Sequence, residues 1–284
     1  MNFHTRPHTF VNHVQLIVED LDRSLSFYKD ILGFSVLKEE EGAVFLTLDG
    51  QKSILSVVQP ENAKPKQPRT SGLYHFALLV PNRKELAKVL RHFISIGYPL
   101  QGASDHLVSE ALYLADPDGN GIEIYADRDA EEWKWENGQV VMTTEPLDSK
   151  GLLVESAGSS FDGLPKETIM GHLHLHVSNL QEAEMFYCEG LGFEVVLRYS
   201  NHALFISTGG YHHHLGLNIW NGQGAPAPDE HHAGLKQFTV VYPSSEARDE
   251  ACARLRNLGY GVQQLDESLF VKDPSGTLME LARG

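Results

Sequence analysis

Residues Asn12–Val18 alternate polar and apolar positions, the period of a strand with one buried face. The period then lengthens. Leu25, Tyr28 and Leu32 recur at the three-to-four spacing of a single helix face. Asp20 or Asp22 can cap that helix, and Gly33 suits its left-handed stop. Short strands are predicted near Phe34–Leu37, Ala43–Leu48 and Ser53–Val58. The same order then repeats: a strand over Leu73–Val80, a helix over Arg83–Ile96, and strands near Ala111–Leu114 and Gly121–Ala126. The first part of the chain therefore reads as two successive βαβββ modules.

The second part repeats the first. VEDLDRSLSFYKDILGF from Val18 matches VSNLQEAEMFYCEGLGF from Val177 at an offset of 159. GLYHFALLVP from Gly72 matches GLKQFTVVYP from Gly234 at an offset of 162, and DPDGNGIEI from Asp116 matches DPSGTLMEL from Asp273 at 157. Three anchors in one order, with offsets that drift so little, mean duplication. The expected fold is α+β, with four βαβββ modules in two tandem domains, residues 8–127 and 169–283. A polar connection, residues 128–168, joins them and packs partly on both, with Trp133 and Trp135 as its anchors.

Composition narrows the class. The formal net charge of −15 repels phosphate backbones and argues against nucleic acid as a partner. No long apolar run points to a membrane span, and the N-terminus MNFHTRPHTF lacks the apolar stretch of a secretory signal. Cys188 and Cys252 form no C-x-x-C pair and read as reduced packing thiols, as expected of a cytoplasmic protein. Fifteen histidines are many for 284 residues and hint at metal chemistry.

Three residues sit at equivalent places in the module pattern. His13 lies on the first strand of the first module, His75 on the first strand of the second, and Glu123 on the last strand of the second. If the two modules pair about a local twofold, His13 and His75 converge and Glu123 joins them. Two imidazoles and a carboxylate on one face of an octahedral ion leave three positions open, which suits Fe(II) that must meet both a substrate and O2. The competing reading is that each histidine is a satisfied residue of an apolar strand.

The motif His-x6-(Asp/Asn)-Leu followed by Phe-Tyr occurs twice, from His13 and from His172, and Tyr113–Glu123 spells YLADPDGNGIE. On these motifs the chain resembles the vicinal oxygen chelate superfamily over essentially its whole length. Its four-module layout is similar to that of the type I extradiol ring-cleaving dioxygenases. The resemblance implies two tandem vicinal-oxygen-chelate domains, a divalent metal (Fe(II), with Mn(II), Zn(II) and Ni(II) as alternatives), and a small catechol- or hydroquinone-type aromatic cleaved with O2. It implies Tyr113 as a donor to a substrate oxygen. His106 lies two positions out of register with a substrate-binding histidine. The strand YHHHLGLNIW resembles the family's His-His strand and makes His213 the proton donor and acceptor; His214, on the opposite face, is a candidate ligand.

The pattern also departs from the family. There the working metal normally sits in the C-terminal half, but here Gln237 stands where the second histidine ligand is expected, between His172 and Glu280. The expectation is therefore a metal at His13, His75 and Glu123, with His172, His214, Gln237 and Glu280 as a second, weaker set. Two other functions remain open: a glyoxalase-like lyase or isomerase, and a non-catalytic small-molecule binding or resistance protein. Substrate identity and oligomeric state are not legible; tandem modules can complete a site within one chain, and a homo-oligomer is left open.

Overall fold

The structure, a computed structural model, describes residues 2–284. The first module runs β1 (Phe10–Ile17), α1 (Leu21–Ser26), β2 (Ser35–Glu40), β3 (Ala43–Thr47) and β4 (Ser53–Val58). The second runs β5 (Gly72–Leu79), α2 (Arg83–Ile96), β6 (Gly102–Asp105), β7 (Ser109–Ala115) and β8 (Gly121–Asp127). The connection carries β9 (Trp135–Glu136), β10 (Gln139–Val140), β11 (Glu145–Pro146) and α3 (Ser149–Glu155). The third module holds β12 (Ile169–His176), α4 (Leu180–Glu184), β13 (Glu194–Tyr199), β14 (Ala203–Ser207) and β15 (Leu215–Asn218). The fourth holds β16 (Gly234–Tyr242), α5 (Ser245–Asn257), β17 (Gln263–Leu265), β18 (Ser268–Lys272) and β19 (Leu278–Arg283). Each of the four modules is thus βαβββ.

Helix boundaries follow the local chemistry. The Asp20 side chain accepts from Arg23 N and caps α1. Asn82 caps α2 in the same way, and Gly97 closes it in the left-handed region at φ 66°. After α1 and α4 the chain widens into one π-helical stretch each, Phe27–Ile31 and Met185–Gly190.

The modules pair across the two halves. β1 runs antiparallel to β16, so the first and fourth modules share an eight-stranded sheet. β5 runs antiparallel to β12, so the second and third modules, with β11 added at one edge, share a nine-stranded sheet. This corrects the expectation that β1 and β5 face each other in one sheet. All four leading strands are largely buried runs, and such a pattern carries nothing about which two exchange backbone hydrogen bonds.

Within each half, the two modules are tied by a buried side-chain bond instead. Tyr28 Oη donates to Asp116 Oδ2 at 2.8 Å, and its repeat, Tyr187, donates to Asp273 Oδ2 at 2.9 Å. The Phe-Tyr and Asp-Pro-x-Gly motifs are therefore partners in one contact. The four modules close a ring in which sheet pairing and tyrosine–aspartate bonds alternate. Apolar residues from all four modules, among them Val14, Phe76, Leu175 and Phe238, join in one buried core.

The connection is structured. β11 pairs with β6, α3 packs on α2, and Trp133 is buried against Phe3, with ring centroids 5.6 Å apart. Trp135 is exposed and does not act as the expected anchor. Cys188 and Cys252 are both free.

Candidate metal centre

Sheet pairing brings β5, β8 and β12 side by side in the nine-stranded sheet. In register, Ala77 of β5 faces His172 of β12 on one side and Glu123 of β8 on the other. A methyl group at this position leaves the two longer side chains free to meet above it. His75 lies two residues before Ala77 and so projects from the same face. His75 Nε2 stands 3.1 Å from Glu123 Oε2, and His172 Nε2 stands 3.3 Å from the same oxygen. All three residues are buried, and their donor atoms lie within 4.8 Å of one another.

These distances fit a metal. Ligand bonds of about 2.1 Å at right angles place neighbouring donor atoms about 3 Å apart. His75 Nε2 is a buried polar atom without a hydrogen-bond partner of good geometry in the protein, a costly arrangement unless something else satisfies it. Burial opposes ionisation of Glu123, but the adjoining His172 and His75 outweigh it and hold the carboxyl well below the usual carboxylate range. Burial pushes His172 down to about 4, so its imidazole is neutral at neutral pH. An ionised carboxylate beside neutral imidazole is the donor set for a divalent cation.

Backbone geometry supports this approach. A Cβ on Gly121 would lie 2.3 Å from the Tyr74 carbonyl oxygen and 3.0 Å from His75 Cβ. Only glycine lets β8 come this close to β5 at the level of His75.

The expected triad is therefore corrected in one member. His13 lies on β1 in the other sheet, its ring stacked on Phe45 at 5.9 Å, and burial pushes it down to about 4. His172, expected in the second set, takes its place. Gln237 and Glu280 remain with His13 in the eight-stranded sheet. In that sheet Thr239 occupies the place of Ala77: it faces His13 and adjoins Glu280. Thr239 Oγ1 and Ser268 Oγ donate to Glu280, at 3.2 and 2.7 Å, and occupy its oxygens. His214 is held elsewhere, with Nδ1 accepting from Thr208 N and Nε2 against the Phe3 carbonyl. The four residues of the second set thus do not form a cluster.

His75 and Glu123 line a cavity of about 440 Å³, into which the remaining candidates project. Tyr113 Oη and His106 Nε2 are 2.6 Å apart, and His106 Nδ1 meets the Thr143 carbonyl at 2.7 Å. A carbonyl only accepts, so Nδ1 carries the proton and Tyr113 donates to Nε2. Burial first, and the charge of Glu123 second, push the Tyr113 phenol well above its ordinary value and keep it protonated. His213 also lines the cavity, beside the triad, its ring 4.1 Å from that of His172. Burial, then the adjacent His172, holds its pKa well below the ordinary value.

His174 is a further cavity residue that the sequence reading passed over. It lies opposite His75 in the sheet register, and its Nε2 is buried and unpartnered. Tyr74 and Trp220 pack around it, with centroids 5.2 and 5.1 Å from its ring. The available signal was the alternation His172-x-His174-x-His176, which sets three imidazoles on one face of one strand.

The comparisons with known proteins agree with this architecture. The Glyoxalase/Bleomycin resistance protein/Dioxygenase superfamily matches the chain twice, over residues 10–124 and 169–281, and the chain belongs to that superfamily. The chain is 45% identical, over 94% of its own length and 94% of the relative's, to a catechol-2,3-dioxygenase of Bacillus subtilis (strain 168). Among solved structures, a Bacillus subtilis protein aligns over 96% of this chain and 84% of its own, with TM-score 0.67 and 15% identity. Glyoxalase I of Zea mays aligns over 97% and 92%, with TM-score 0.60 and 14% identity. At such identities these two likenesses concern the fold. Among the described residues no helix is long and apolar enough to cross a membrane.

Proposed function

We propose that this protein is an extradiol ring-cleaving dioxygenase that uses O2 to open a catechol- or hydroquinone-type ring beside a hydroxyl-bearing carbon, with Fe(II) held by His75, Glu123 and His172. The observation that carries this reading is the buried triad beside an aromatic-walled cavity. The 45% identity to a catechol-2,3-dioxygenase supports the reaction class. Among the described residues the donor group numbers three, so an ion held there would keep positions free for groups from outside the protein. A metal bound there supplies Lewis acidity that lowers the pKa of a coordinated hydroxyl, and as Fe(II) also supplies the redox chemistry toward O2.

The chain's own residues do the rest. Tyr74, Phe205 and Trp220 give the cavity flat apolar walls that stack an aromatic ring and exclude water. The protonated Tyr113 becomes the hydrogen-bond donor to a substrate oxygen when its single O–H turns from His106 Nε2, which it meets in the free protein, toward the cavity. His213 is the base that takes a proton from the substrate hydroxyl and returns it later.

The test is O2 consumption by anaerobically purified protein reconstituted with Fe(II), across a panel of catechols and hydroquinones. Uptake with a yellow ring-opened product is expected for at least one member. Full iron content with no uptake on the panel excludes dioxygenase action on those substrates. Ligand binding without turnover would then favour a binding protein.

A further inference from the structure

His213 is the proton acceptor in the proposed reaction, and an imidazole accepts at only one of its two nitrogens. Behind it, away from the cavity, runs a short chain of hydrogen bonds. His213 Nδ1 and His212 Nδ1 are 2.8 Å apart, and His212 Nε2 is 2.8 Å from Asp127 Oδ1. An ionised carboxylate only accepts, so His212 carries its proton on Nε2 and points it at Asp127. In a neutral ring His212 Nδ1 is then a lone pair. The bond between the two histidines forms only if His213 Nδ1–H donates. Nε2 is thereby left as the free, basic nitrogen of His213, which lines the cavity.

The chain is held rigidly. The His212 side chain is fully buried, and its ring packs between Tyr211 and Trp133, at 4.1 and 5.2 Å. Tyr125 Oη and Tyr211 Oη are 2.7 Å apart, and Tyr211 Oη in turn approaches Asp127 at 3.4 Å. Asp127 ends β8, the strand that carries Glu123. The element that supplies a ligand to the candidate metal centre therefore also sets the proton position on His213.

We propose that Asp127 and His212 are positioning residues that lock His213 in the tautomer with its proton on Nδ1 and its lone pair on Nε2. The lock is a statement about the resting protein and is independent of the reaction; its kinetic consequence rests on the dioxygenase reading. It parallels the third group that orients a catalytic base in other enzymes.

The test has two readouts on the full-length chain. Nitrogen-15 NMR of histidine-labelled, Zn(II)-loaded protein should show His213 with a protonated Nδ1 and a bare Nε2. The opposite tautomer in the wild type overturns the proposal. In Asp127→Asn, an amide N–H directed at His212 Nε2 reverses the chain, so His213 should switch to Nε2–H. With Fe(II), kcat should then fall by roughly 10²–10⁴-fold, at an unchanged KM and metal content. Asp127→Glu should keep the tautomer and recover most of the activity. An Asp127→Asn protein that keeps both the wild-type tautomer and kcat overturns the proposal. If no substrate is turned over at all, the NMR result still decides it, so failure of the dioxygenase reading and failure of the lock are separable.

Discussion

His75 and His172 come from different halves of the sequence, yet their rings lie 5.7 Å apart, on adjacent strands of one sheet. Duplication supplied two sets of potential ligands, and cross-pairing of the halves assembled one intact set at the β5–β12 seam. The β1–β16 seam holds the degenerate counterpart. There Gln237 replaces His75 and Thr239 replaces Ala77, and the equivalent carboxylate, Glu280, is already bonded by Thr239 and Ser268. The two seams share a topology, but in the β1–β16 seam the carboxylate is bonded by two hydroxyls while His13 Nε2 is left without a partner.

Close approach at Gly121 should be costly to disturb. In Gly121→Ala the new methyl meets the Tyr74 carbonyl, and overpacking of this kind costs about 1–3 kcal/mol. Since β5 and β8 carry His75 and Glu123, metal affinity should fall together with the denaturation midpoint. Gly261→Ala, where nothing lies within 4 Å of the added Cβ, should leave both unchanged. Unaltered metal affinity in Gly121→Ala would mean the approach does not shape the site.

The tyrosine–aspartate bonds should hold the two seams together. Tyr187→Phe removes a buried donor to a carboxylate, worth about 1.5–3 kcal/mol. Tyr28→Phe should cost less, because Asn120 Nδ2 still donates to Asp116 Oδ2. Urea unfolding of both variants measures the difference. Equal, near-zero losses would assign these bonds no role.

Asp273 should make stability depend on pH. Burial pushes its carboxyl up to about 6, above its value in the unfolded chain, against the opposing hydrogen bonds from Thr277 and Tyr187. The native state therefore holds the proton more tightly. Its contribution is full at low pH and is lost as pH rises from about 4 through about 6, by up to about 3 kcal/mol. Asp273→Asn cannot ionise, so its stability relative to wild type should rise across that window. A constant difference between the two proteins would contradict this.

Much of this was legible beforehand. The three-to-four spacing of Leu25, Tyr28 and Leu32 placed the first helix, although α1 ends at Ser26 and a π-helical stretch follows; α2 was read at its true ends, and the repeated Phe-Tyr and Asp-Pro-x-Gly segments revealed the duplication. His75 and Glu123 were readable as candidate ligands because both lie in the better preserved copy of the motif. His13 was misplaced for a physical reason: a ligand set that spans two strands depends on which backbones pair, and β1, β5, β12 and β16 are all largely buried runs that do not say which two are neighbours. The short strand β6, only Gly102–Asp105, lacked enough length to show a period. The hydrogen-bonded chain behind His213 was hidden because Asp127 and His212 are far apart in sequence and meet only through sheet assembly.

The central claim is that the metal is held across the β5–β12 seam. Metal content measured by inductively coupled plasma mass spectrometry on Fe(II)-reconstituted wild type, His172→Ala and His13→Ala tests it most directly. The account predicts that His172→Ala loses its metal, whereas His13→Ala retains the wild-type complement. Loss of metal in His13→Ala with full retention in His172→Ala would contradict it.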